Sequence, residues 1–137
     1  MERQTSTVLQ NIFADLTRGV TSDSALQEIK KYRDQMHAEG NEIEEARAIL
    51  AMSVHFMVSN NNPMSMDLAQ QGLQLVEGTR TDLEVDLHVM LCRVSLANDV
   101  NAAIAHIQKA HGMSVELHGK ARPNVSLRYG EACAKLN

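Results

Sequence analysis

An all-α fold is what this sequence predicts, and three observations predict it. Aromatic residues make up 3% of the chain, with no Trp, two Tyr and two Phe, whereas sandwiches and barrels draw on aromatic and β-branched side chains. Gly (7) and Pro (2) are scarce, while the good helix formers Ala, Leu, Met, Glu, Gln and Lys are plentiful. Apolar residues return at helical spacing in segment after segment. At 137 residues, 44% of them apolar, the chain has the size of one domain on a prior of about 100–200 residues per domain.

Breakers divide the sequence into seven helix-length segments. The first spans residues 5–17, with Leu9, Ile12, Phe13 and Leu16 on one stripe, and Gly19 stops it. Thr21, Ser22, Asp23 and Ser24 offer side-chain oxygens to cap a second helix over 22–38. It carries Ala25, Leu26, Ile29 and Tyr32, and Gly40 ends it. The third, over 42–59, opens with Glu42, Glu44 and Glu45 at the end the helix dipole makes positive. It runs through Ala48, Ala51, Met52, His55 and Phe56 into an Asn-rich turn at Asn60–Ser65.

Ser65 or Asp67 is expected to open the fourth helix, over 65–77, with Leu68, Ala69, Leu73 and Val76 before Gly78. Thr81 and Asp82 open the fifth, over 82–97, through Leu87, Met90, Leu91 and Val94. The sixth covers 100–118 with Ala103, Ile104, Ile107 and Ala110, and Gly119 ends it. Pro123, tolerated in a first helical turn, starts the seventh, over 122–136. Connections of two to six residues fit antiparallel neighbours. The whole of 1–137 reads as one helical domain.

Composition also excludes function classes. A formal charge of −4 withholds the basic footprint of a protein that binds nucleic acid directly. No apolar run approaches the ~18 residues of a membrane span, and residues 1–10 lack the plan of a signal peptide. Two cysteines, Cys92 and Cys133, make no disulfide framework. A soluble, cytoplasmic protein is expected.

An internal period decides the architecture. Residues 68–76 align with 102–110 at a shift of 34, so that Ala69, Leu73 and Val76 map onto Ala103, Ile107 and Ala110. Ala25, Ile29 and Tyr32 form the same stripe in the second helix. A small residue lets a partner helix approach closely, and the larger one fills the groove beyond.

With that stripe in place, residues 98–110 resemble the turn and second helix of the tetratricopeptide (TPR) repeat, and residues 129–137 resemble its first helix. The array is irregular: the signature Trp is absent, Asn98 stands at the turn Gly, and 44 residues separate the Ala25 and Ala69 stripes. The resemblance implies a right-handed α-solenoid of about three antiparallel hairpins plus an extra C-terminal helix. That last helix reads either as a terminal cap or as the cut edge of a longer protein whose N-terminal part this is.

Chemical motifs are missing. His88 and Cys92 stand at i, i+4, a spacing that suits two zinc ligands, but no third or fourth ligand joins them. No metal or other cofactor is expected. Neither cysteine lies in a nucleophile motif, and no G-x-S-x-G or Gly-rich phosphate loop occurs. An enzyme is not expected.

The TPR resemblance implies a concave groove lined by the first helices of successive pairs. It places Ile49, Met52, Phe56 and Ser59 on the groove side in one repeat, and Val85, His88, Cys92 and Ser95 in the next. These are largely apolar, and the Lys/Asn pair by which some TPR domains clamp a carboxylate is not found. The expected function is a non-enzymatic protein-interaction module that holds an apolar or amphipathic peptide or helix. Two other readings stand beside it. One is a sensory or regulatory domain ahead of a bacterial nucleotide-cyclase or DNA-binding output, and the other is a TPR-like secretion chaperone. The unpaired seventh helix further predicts a two-fold homodimer through an exposed stripe of Val125, Tyr129, Ala132, Cys133 and Leu136.

Overall fold

A computed structural model describes residues 10–12, 14, 18–19 and 21–136. All regular structure among them is helical. Six helices follow one another: α1 (Asp23–Ala38), α2 (Glu42–Val58), α3 (Asn62–Val76), α4 (Asp82–Ser95), α5 (Val100–His118) and α6 (Pro123–Leu136). Gln10–Ile12 and Ala14 are helical too, and Ile12 is buried among Leu26, Ile29 and Tyr32. The rest of the helix expected over 5–17 lies largely outside the described residues.

Local chemistry sets the starts. The side chains of Ser22, Asn41, Asn61, Thr81 and Asp99 each accept a hydrogen bond from the backbone N–H three residues on, at 3.0–3.4 Å. Each satisfies one of the free donors of a first helical turn. Gly119 ends α5 in the left-handed region at φ +77°, where a side chain would be strained.

Two boundaries differ from the sequence reading by more than one residue, and one of them is the end of the fifth expected helix, at Ser95 rather than 97. The fourth expected helix starts at Asn62 rather than Ser65, because Asn61 caps it and Pro63 sits inside its first turn. The Asn-rich turn is therefore shorter than 60–65. Ser65, expected as a cap, is instead a fully buried helical residue.

Each helix packs on the next, and α4 additionally touches both α2 and α6. Among the described residues, α1 and α3 do not touch, nor do α3 and α5, nor α2 and α6. The repeated stripes lie where helices meet. Ala103, Ile107 and Ala110 pack with Val85, Val89 and Cys92 of α4, while Ala69 packs with Met90, Leu91 and Val94. Ile29 and Tyr32 pack with Ala48, Ile49 and Met52. Helix α4 is the hub: eleven of its fourteen residues are buried. No helix among the described residues is long and apolar enough to cross a membrane.

The stripe assigned to self-association is divided by this packing. Val125 and Ala132 are fully buried against α4 and α5, so the chain itself covers the face expected to await a second copy. Tyr129 and Cys133 are half-buried, and Leu136 is exposed. The reason is geometric: α6 docks in the crevice between its two predecessors and uses its small and β-branched residues to do so.

Candidate functional site

A cleft of about 550 Å³ opens on one side of the array. Its floor is one face of α4, where Asp86, Val89, Met90 and Arg93 follow one another at i, i+3, i+4 and i+7. One wall is the apolar face of α2, made by Leu50, Ala51, Val54, Met57 and Val58. The opposite wall is polar: Asn124 and Arg128, a turn apart on α6. Because α2 and α6 do not touch, the space between them stays open, with Gly19 also lining it.

Charge in the cleft is unevenly matched. Asp86 Oδ1 accepts a hydrogen bond from Arg122 Nη2 at 2.5 Å, yet burial holds its carboxyl above the usual carboxylate range. Arg128 Nη1 donates to both oxygens of Glu131, at 2.9 and 3.1 Å. Arg93 is half-buried and makes no hydrogen bond or ion pair with any described residue. Burial first, and then the neighbouring Arg128 charge, pull its pKa below the ordinary value, with Glu131 opposing. A guanidinium stays protonated in a protein regardless. Among the described residues, the cleft thus carries one cation that feels the Glu131 charge but makes no hydrogen bond or ion pair of its own.

The residues expected to line a groove occupy a neighbouring face. Ile49 and Met52 are buried and pack with α1 residues; Val85 and Cys92 are buried and pack with α5 residues. His88 and Ser95 are buried as well, Phe56 is half-buried, and Ser59 is exposed at the helix end. On α4 the open face is rotated from the expected one by about one residue, or roughly 100°. The strongest apolar stripe of each helix is its hairpin contact. The sequence signal for the open face was charge: beyond the first turn of α4, its charged residues are Asp86 and Arg93, seven apart on one face.

His88 has a different role from groove lining. Its Nδ1 lies 3.1 Å from Nδ1 of His106 on α5, with the rings 5.3 Å apart. One ring donates its Nδ1–H and the other accepts, so the acceptor is a neutral imidazole with its proton on Nε2, and the lowered pKa of both rings favours a neutral donor as well. Burial, then the neighbouring His106 and Lys109, push His88 down to about 4. Burial and Lys109 lower His106 too. Cys92 is equally inert: burial pushes its thiol up to about 11. Among the described residues no group of three or more His, Cys, Asp or Glu is placed to hold a metal ion.

Comparison with protein-family models, with curated proteins and with solved structures finds no match for this chain.

Proposed function

We propose that the chain is a non-enzymatic interaction module, a TPR-like solenoid that holds a peptide or helical segment in the cleft between α2, α4 and α6. The observation that carries this reading is the layering. The three helices that form the cleft are joined through α4, whereas α1, α3 and α5 stand behind them without touching one another. Stacked helix hairpins have this pattern, and their inner helices make a concave surface. The cleft is also the right chemical environment, with an apolar wall for side chains and a polar wall to orient them.

A photo-crosslinking amino acid tests the proposal in cells. Placed at Val54 in the apolar wall, it should capture one partner protein. At Gln74, exposed on α3, it should capture none. Equal capture at both positions, or capture at neither, counts against the cleft.

A further inference from the structure

We infer that the segment bound in the cleft presents an acidic side chain to Arg93, with a large apolar side chain seated on Val89 and Met90. The inference rests on the peptide-groove reading and specifies the chemistry of the occupant.

The argument begins with charge matching. Asp86 is paired with Arg122 and Arg128 with Glu131, which leaves Arg93 as the cleft's unmatched cation among the described residues. A partner that covers Arg93 removes its remaining water. If that partner is wholly apolar, the guanidinium is buried without a counter-charge, which is strongly unfavourable. A carboxylate instead gains a charge-assisted, two-pronged hydrogen bond. The site therefore attracts acidic segments and discriminates against apolar ones, the two halves of specificity. One open guanidinium matches one carboxylate; a dianionic phosphate would have to compete with Glu131 for Arg128.

Spacing adds a pattern. Val89 and Met90, only 6% and 4% exposed, form the cleft floor one turn before Arg93 on the same face of α4, so the apolar seat and the charge are about 5–6 Å apart. An acid and a large apolar residue within four positions of each other span that gap in either an extended or a helical ligand. The α2 wall accepts a further apolar side chain.

Panning the full chain against displayed random twelve-residue peptides, embedded so that no free C-terminus is offered, tests this. The expected result is enrichment of sequences with Asp or Glu within four positions of Leu, Ile, Met or Phe. In a selected peptide, changing the acid to its amide should weaken binding about 10–100-fold, the usual worth of a hydrogen bond between charged groups. Arg93→Gln should cause a similar loss, Arg93→Lys a smaller one, and Arg93→Gln should be indifferent to the peptide's amide substitution. Arg93 has no partner among the described residues to strand, so Arg93→Gln should fold; if its melting temperature falls, the peptide-side substitution carries the test alone. Enriched peptides without an acid would overturn the inference and leave the groove reading standing. No enriched pattern at all would remove both.

Discussion

Ser53 of α2 and Ser65 of α3 donate their hydroxyls to each other's backbone carbonyl, at 2.8 and 2.7 Å, and both are completely buried. Each hydroxyl has one proton. When both protons go to carbonyls, the 3.0 Å approach of the two Oγ atoms is left without a hydrogen bond between them. The pair is a small-residue clasp: two short side chains let the helices approach closely and still find partners for their polar atoms.

Ser53→Ala and Ser65→Ala should each destabilise the protein by about 1 kcal/mol, the net worth of an intramolecular hydrogen bond. The double variant should lose more than the sum, because either single change already removes the Oγ–Oγ crowding and so offsets part of its own cost. Urea unfolding of the four proteins gives the coupling directly. Strict additivity would mean that the two hydroxyls act independently.

Glycines in helix interiors separate into two classes. A Cβ at Gly72 would lie 2.9 Å from Leu87 Cδ2 and 3.3 Å from Ile49 Cγ2, whereas one at Gly112 or Gly130 would meet nothing within 4 Å. Leu87 is fully buried, and Ile49 is β-branched and stiff. Gly72→Ala should therefore cost roughly 1 kcal/mol, since overpacking of ~1–3 kcal/mol exceeds the helical gain. Gly112→Ala and Gly130→Ala should each stabilise by about 0.4–1 kcal/mol. Thermal melts with matched cooperativity will rank the three.

Acid should weaken the fold through His88. Unfolded, the imidazole takes a proton near 6.5; folded, it resists until about 4. Between these values the unfolded state binds more protons, so stability falls as the pH falls. Above pH 6.5 both states are neutral and the group contributes nothing. At about 1.4 kcal/mol per unit, His88 should account for a loss on the order of 3 kcal/mol by pH 4. His106 and His55, also lowered by burial, act in the same direction. Unfolding curves from about pH 8 to 4 should fall less steeply for His88→Gln than for the parent protein. Equal slopes would refute the assignment.

Thiol chemistry should separate the two cysteines. Cys92 is fully buried with its thiol pushed up to about 11, whereas Cys133 is partly open to solvent. Alkylation of the folded protein at neutral pH should label Cys133 alone. Cys92 should follow only in denaturant, at a rate tracking global unfolding. Fast labelling of both in the folded state would show that α4 is not held as a buried hub.

The helices themselves were legible in the sequence, because what starts and stops a helix is local. Ser22, Asn41, Thr81 and Asp99 each cap a backbone donor only three residues away, and Gly119 closes α5 by its own φ. The boundary misplaced furthest, at Asn62, turned on which of three successive asparagines caps, with Pro63 inside the turn that follows. Apolar spacing likewise determined the stripes Ala69/Val76 and Ala103/Ile107/Ala110, which lie at helix contacts. Tertiary structure decided which face stays open. Helix α4 has neighbours on several sides and is buried almost all round, so apolar periodicity marks it as central but does not rank its faces. Val85, His88 and Cys92 went to the α5 contact, Val89 is shared between that contact and the cleft, and Asp86 and Arg93 went to the cleft. Only the placement of α2 and α6 on either side of α4, near enough to share it and too far apart to touch, left that second face open as a cleft.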